Sequence, residues 1–209
     1  AVAVHPSSPT IVLAGTSEDL YRSTDRGETW IASNDGLDLR PRSLVFDPAR
    51  PGQCYLGTLT AGAFRSTDAG RTWTPLSQGL GDNVVNSLEI DLVRDHVLAG
   101  TGTGAFRLKI GEDDWEDITL NLPDTPVLHL TSIWPVPGLY AATQAGAFKI
   151  DPDTLGTWER YGVEAVRQIV TNKNGTDILI AALFGRIVGT TDSGGSFELR
   201  QHGMQNDFV

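Results

Sequence analysis

The sequence predicts an all-β protein, a β-propeller of about 42-residue, four-stranded blades, most simply five of them. Two observations carry this prediction: a tryptophan recurs at nearly constant spacing, and each interval holds short apolar runs bounded by turn residues. Trp30, Trp73, Trp115 and Trp158 are 43, 42 and 43 residues apart, and Phe197 follows 39 residues later. No run keeps an apolar period of 3.6 residues over three turns, which argues against a helical repeat.

The same unit is repeated five times along the chain. In the first copy we expect strands at about residues 2–5, 11–15, 20–23 and 29–33, because each is rich in β-branched or aromatic residues. The second strand recurs as IVLAGT, CYLGTL, HVLAGT, GLYAAT and ILIAAL. We therefore expect one domain, residues 1–209, with blades at about 1–42, 43–86, 87–128, 129–168 and 169–209.

The two ends of the chain are compatible with one more blade junction. The last seven residues follow His202, and joining them to the first six gives GMQNDFVAVAVHP. This joined segment has the same length as GLDLRPRSLVFDP at residues 36–48. Two interpretations remain open, a closed five-bladed ring or a segment of a longer array of six to eight blades. The closed ring is favoured because an open one exposes two unpaired blade faces.

Composition excludes several classes of partner. The net charge of −10 and the pI near 4.7 would repel phosphate backbones and anionic lipid, so we expect no nucleic acid and no membrane insertion. The longest apolar run, residues 178–184, is much shorter than the roughly 20 residues of a spanning helix. Cys54 is the single cysteine, which excludes an internal disulfide and a multi-thiolate metal site.

An acidic octapeptide precedes the expected fourth strand. It reads STDRGETW at residues 23–30, STDAGRTW at 66–73 and TTDSGGSF at 190–197. The aspartates can accept hydrogen bonds from backbone N–H groups two residues on, the glycines can supply a positive φ, and the tryptophans would lie between neighbouring blades. A calcium loop would need more carboxylates than these segments offer. We therefore assign a structural role to Ser23, Asp25, Gly27, Trp30, Ser66, Asp68, Gly70, Trp73, Asp192 and Gly194.

This octapeptide resembles the Asp-box, or BNR repeat, of the sialidase superfamily. Such repeats also occur in sortilin-type receptors, xyloglucan-degrading enzymes and photosystem assembly factors of the Ycf48 type. The match is strict in copies one and two and partial in copy five, whereas copies three and four keep only the turn and the tryptophan. The resemblance implies a propeller fold, an extracellular or periplasmic location, and either a binding function or glycoside hydrolysis.

Candidate ligand-binding residues lie in the inter-blade segments, at the mouth opposite the Asp-boxes. One carboxylate recurs there in each copy, just before the innermost strand, at Asp38, Asp82, Asp124, Glu164 and Asp207. These acids either cap turns or form a ring for a cation, a polyol or a basic partner, with calcium as the one cofactor to consider. Arg42, Asn86 and Arg167 belong to the same segments.

Two arginine functions are possible at this mouth. Sialidases bind a substrate carboxylate with an arginine trio, and Arg40, Arg42, Arg167 and Arg186 lie in the appropriate loops. The chain lacks the Arg-Ile-Pro element that accompanies that trio, so we expect these arginines to pair with nearby acids instead.

Three functions are compatible with the sequence. The first is a non-catalytic binding or scaffold propeller for a protein or carbohydrate ligand. The alternative is a BNR-type glycosidase, or a glycan-binding enzyme, although no catalytic residues can be named. The second alternative is a fragment of a larger propeller protein. A sugar that bound at the acidic mouth and was cleaved would exclude the first.

Overall fold

A computed structural model of the chain describes residues 1–34, 40–133, 138–161, 165–171, 178–182, 187–190 and 198–199. They form five four-stranded antiparallel sheets. The strands of the first three sheets are β1 (Val2–Val4), β2 (Val12–Gly15), β3 (Leu20–Ser23), β4 (Ile31–Ala32); β5 (Pro41–Phe46), β6 (Cys54–Thr58), β7 (Ala63–Ser66), β8 (Thr74–Pro75); and β9 (Val85–Asp91), β10 (His96–Thr101), β11 (Ala105–Lys109), β12 (Glu116–Asp117). Those of the last two are β13 (Val127–Ile133), β14 (Gly138–Thr143), β15 (Gly146–Ile150), β16 (Glu159–Arg160); and β17 (Val166–Thr171), β18 (Ile178–Ala182), β19 (Ile187–Thr190), β20 (Glu198–Leu199).

Each sheet is a meander in which the four strands pair in chain order, as in a propeller blade. The predicted all-β propeller of five four-stranded units is therefore confirmed. The first strands are innermost and pack in succession, β1 against β5, β5 against β9, β9 against β13 and β13 against β17. Over the described residues no comparable packing joins β17 to β1. The closed ring that the sequence favoured is not formed by this part of the chain.

The hydrophobic core lies between consecutive blades. Leu13 and Leu20 of the first blade pack in one cluster with Phe46, Phe64 and Trp73 of the second. The two following interfaces have the same composition, centred on Trp115 and Trp158. Because alternate residues of every strand point to opposite faces, one face of each blade meets the preceding blade and the other meets the following one.

Two of the buried tryptophans are hydrogen-bonded to the blade before them. The indole N–H of Trp115 donates to the backbone oxygen of Leu76 at 2.7 Å, and that of Trp158 donates to the backbone oxygen of Ile118 at 2.8 Å. Asn121 adds two hydrogen bonds to the backbone of Trp158. These bonds satisfy polar groups that burial would otherwise leave unpaired.

The octapeptide that resembles an Asp-box forms a compact turn held by its own side chains. The carboxylate of Asp68 accepts the N–H groups of Arg71 and Thr72, both at 2.9 Å, and the Ser66 hydroxyl accepts the N–H of Gly70. The acceptor thus reaches residues three and four positions on, rather than two as we expected. The predicted positive φ holds at Gly27 and Gly70, and it extends to Arg26 and Ala69.

These hydrogen bonds stabilise the ionised aspartates. Partial burial alone would raise the pKa of Asp68, but the bonds from Thr72, Ser66 and Arg71 outweigh it and hold the pKa at about 2. Hydrogen bonds from Thr29 and Ser23 likewise lower the pKa of Asp25 to about 2. Asp192 and Gly194 lie outside the described residues.

Trp30 departs from the expected position between two blades. It is 40% exposed, whereas Trp73, Trp115 and Trp158 are 7%, 5% and 3% exposed. The difference follows from the interface rule, since each tryptophan packs on the preceding blade and no described blade precedes the first. Its indole N–H instead donates to the oxygen of Gly27 in its own turn, at 2.9 Å.

Candidate mouth site

Four inner strands carry an irregularity at the same place, near their first residues. The pairing register shifts between Pro41 and Ser43, between Val127 and His129, and between Val166 and Gln168. In the third blade Gly100 pairs with Ser87 and Thr101 pairs with Val85, so Asn86 has no partner in the strand pairing. The extra residues are therefore Arg42, Asn86, Leu128 and Arg167. A β-bulge of this kind redirects one side chain out of the alternating pattern of its strand.

The packing between blades explains why the bulges lie there. The residue before each bulge is buried and fits over a small residue in the second strand of the preceding blade, as Val85 does at Gly57 and Val127 at Gly100. A Cβ atom at Gly57 would lie 2.6 Å from Cγ1 of Val85. The strand is thus fixed against its neighbour on one side of the bulge, and the bulged residue is left free to face the axis.

The bulged side chains line one cavity of about 430 Å³ at this mouth. Its lining consists of Arg42, Asn86, Leu128, His129, Arg167 and Gln168, which come from four successive inner strands. Arg42, Arg167 and Gln168 are exposed, while Asn86, Leu128 and His129 are half-buried. A further cavity of about 440 Å³ lies on the other side, beside the degraded Asp-box of the fourth blade.

Hydrogen bonds between inner strands make the floor of the mouth cavity rigid. The Nδ2 group of Asn86 donates to the oxygen of Val127 at 3.0 Å. The hydroxyls of Ser43 and Ser87 accept the N–H groups of Leu88 and Leu130 in the next blade. Side chains of the preceding blade therefore satisfy one N–H group at the inner edge of β9 and one at that of β13, where no further strand is available to pair.

His129 occupies the position that Ser43 and Ser87 hold in the two preceding blades. Its Nδ1 atom is buried and has no hydrogen-bond partner among the described residues. Burial also lowers the pKa of its imidazole, which favours the neutral form. The described lining therefore combines a neutral imidazole ring with two guanidinium groups and two amides.

The predicted acids are not part of the described lining. The carboxylate of Asp82 accepts the N–H of Val84 at 3.1 Å and lies over Gly102, and Asp124 is exposed. Asp38, Glu164 and Asp207 fall outside the described residues, so the ring of five acids remains a prediction. Within the described part of the chain, no three potential metal-ligating side chains cluster together.

The predicted arginines divide in a similar way. Arg42 and Arg167 reach the same cavity, and neither forms an ion pair with an acid among the residues that the structure describes. Asp38 and Glu164, the acids nearest to them in the sequence, lie outside the described residues, so the expected pairing remains a prediction. Arg186 lies outside the described residues. Among the described lining residues, the two arginines are the charged side chains.

Sequence reasoning missed Leu128, His129 and Gln168 as lining residues. His129 carries no site signal in the sequence, because the four histidines share no spacing. An alignment of the first residues of the inner strands contained the signal, since it places Arg42, Asn86, Leu128 and Arg167 in one column. The alignment of these four residues could be obtained from the sequence, but the bulge that directs their side chains to the same cavity could not.

Comparison with known proteins supports the fold. No family profile and no curated protein sequence matches the chain. Among solved structures, an ancestral GH74 enzyme superposes on 98% of the chain with a TM-score of 0.82 and 18% identity. The extracellular domain of a hybrid two-component system of B. thetaiotaomicron covers 92%, with a TM-score of 0.74 and 16% identity.

A third structure, YCF48 bound to D1 peptide, covers 95% of the chain with a TM-score of 0.63 and 17% identity. The chain therefore has a β-propeller fold. It spans 31% of the GH74 chain, 26% of the two-component system domain and 71% of YCF48. In the described residues no helix is long and apolar enough to cross a membrane.

Proposed function

We propose that the chain is a non-catalytic binding or scaffold propeller that uses the mouth cavity to hold a protein or carbohydrate ligand bearing an anionic group. One observation carries the proposal: bulges in four successive inner strands direct Arg42, Asn86, Leu128 and Arg167 into one cavity. A guanidinium group offers a carboxylate or sulfate two parallel hydrogen bonds, so two arginines at one mouth favour such a group. The similarity to YCF48 bound to D1 peptide and to a GH74 enzyme is compatible with either ligand class.

The glycosidase alternative has less support at this cavity. Glycoside hydrolysis requires two carboxyl groups roughly 5 to 9.5 Å apart. The cavity lining in the described part of the chain contains no carboxylate. We infer binding rather than hydrolysis, at an extracellular or periplasmic location, which the likeness to an extracellular domain favours. The remaining alternative, a fragment of a larger propeller, fits the small share of the GH74 chain that is covered.

The test is a binding measurement with two arrays, one of neutral and acidic glycans and one of peptides with acidic C-terminal sequences. We expect the chain to retain acidic members, and the double variant Arg42→Gln, Arg167→Gln to lose at least about tenfold in affinity, since each charged hydrogen bond contributes about 1.5–3 kcal/mol. Arg26→Gln is the matched control, because Arg26 lies in an Asp-box turn at the opposite end of the blade.

Two results would exclude the proposal. The first is binding of every array member that is equally strong in the double variant, which would place the ligand elsewhere. The second is release of reducing ends from a bound glycan, with a rate that depends on the mouth residues, which would make the chain an enzyme.

A further inference from the structure

The first blade presents an apolar surface to solvent. We call it the open face, and it consists of Val2, Val4, Val12, Ala14, Tyr21 and Trp30. Val2 is 70% exposed and Val4 53% exposed, whereas their equivalents in the second blade, Leu44 and Phe46, pack against the first blade. The open face therefore has the composition of a blade interface without the burial that such residues have elsewhere in the chain.

The internal interfaces show what the open face is built to receive. At two of them the buried indole donates its N–H to a backbone oxygen at the outer strand of the preceding blade, that of Leu76 for Trp115 and that of Ile118 for Trp158. Trp30 stands at the same place in its repeat. A blade docked on the open face would cover its ring and supply the equivalent backbone oxygen.

A second contact recurs at the first three interfaces and involves a cation. Arg22, Arg65 and Arg107 each donate from the third strand of one blade to a backbone oxygen in the turn of the next, those of Ala69, Glu112 and Pro152. On the open face the carbonyl equivalent to that of Ala69 belongs to Arg26, which has the same positive φ. An occupant should therefore carry an arginine or lysine at this strand position.

The fifth blade lacks this cation. The pairing register aligns Arg22, Arg65, Arg107 and Lys149 with Gly189, each opposite the first residue of its fourth strand. Val170 on β17 is 43% exposed, so the fifth blade is itself uncovered at the inner strand. The last blade of a second copy of the chain has the same glycine, so it likewise supplies no cation for the backbone oxygen of Arg26.

We propose that the open face docks a sixth four-stranded blade of the same type, which carries a cation on its third strand and covers Trp30. Continuity with the first three blade interfaces supports this proposal, which does not depend on the proposed function. YCF48, of which the chain covers 71%, has room for roughly two more units of this length.

The experiment supplies such a blade from the chain itself. A copy of residues 87–128 is fused ahead of Ala1. Ala1 corresponds to His129 in the repeat, so a segment that ends at residue 128 continues into Ala1 in register. The face of this segment that meets the next blade packs against Trp158 and contains Arg107. The readout is acrylamide quenching of Trp30, taken as the difference between each protein and its Trp30→Phe variant. We expect quenching to fall severalfold and the Tm to rise by about 4 °C or more.

Two matched variants make the result specific. A copy of residues 43–86, which receives Trp115 and contains Arg65, is the second fusion in case the first does not fold. Replacing Arg107→Gly in the fused copy alone should reduce the gain in Tm. The proposal would be overturned if the quenching of Trp30 in each of the two fusion proteins equalled that in the unfused chain. Shielding of Trp30 in the unfused chain would also overturn it, because a monomer would be closing on its fifth blade and a dimer would be using a second copy.

Discussion

The tryptophan anchors allow a comparison between two equivalent positions in different surroundings. Trp115 is buried and donates its indole N–H to Leu76, whereas Trp30 is 40% exposed. Truncation of a buried Trp to Ala costs about 3–5 kcal/mol, because apolar burial is lost and a cavity remains. For a chain of this length that corresponds to a decrease in Tm on the order of 10 °C. Trp30→Ala should cost only about 1 kcal/mol.

The assay is urea unfolding followed by far-UV circular dichroism, with the midpoints compared at constant slope. Trp115→Phe separates the two contributions, since it keeps most of the ring volume but leaves the oxygen of Leu76 without its donor, at a cost of about 1–2 kcal/mol. Equal costs for Trp30→Ala and Trp115→Ala would refute the reasoning, because the first tryptophan would then be buried as deeply as the third.

Two further predictions concern carboxylates. Asp68→Ala should cost about 1 kcal/mol at pH 7, because its hydrogen bonds to Arg71 and Thr72 are lost; since its folded pKa is about 2, thermal scans should show this stabilisation above pH 4 and its loss as the pH falls towards 2. Glu89 accepts the N–H of Ser132, and burial raises its pKa to about 7, so its contribution is complete below pH 4.5 and is lost as the pH rises through 7. Glu89→Gln should therefore raise the Tm at pH 8, which corresponds to a gain of about 1–3 kcal/mol in the free energy of unfolding, and leave the Tm nearly unchanged at pH 4. An equal change in Tm at both pH values would contradict the raised pKa of Glu89.

The fold could be predicted from the sequence because a tryptophan recurs once per blade and packs between neighbouring blades. Trp73, Trp115 and Trp158 are buried at the junctions that their spacing predicts. The same reasoning placed Trp30 at a junction, and there it failed, since burial depends on a neighbour that spacing alone cannot supply. Gly27 and Gly70 were predictable because the positive φ is a local property of the turn.

The candidate site was predictable only in part. Arg42, Asn86 and Arg167 were recognised from their position in the inter-blade segments, and they share one cavity. Their common direction depends on bulges that arise where Val85 and Val127 pack on glycines of the preceding blade. Such a register shift is a property of two blades together, so a pattern within one blade does not reveal it. Asp82, by contrast, bonds its own turn.

The bulges have a consequence for how such a protein changes over time. A bulged residue lies outside the strand ladder of its blade, so its replacement leaves the ladder intact, although Asn86 also donates a hydrogen bond to Val127 of the next blade. This one repeat position holds two arginines, one asparagine and one leucine, so its charge, size and polarity vary between blades. Ligand preference can therefore be rewritten one blade at a time, by single substitutions, in a scaffold whose stability resides elsewhere. A library randomised at these four codons would sample new specificities with little loss of folded protein.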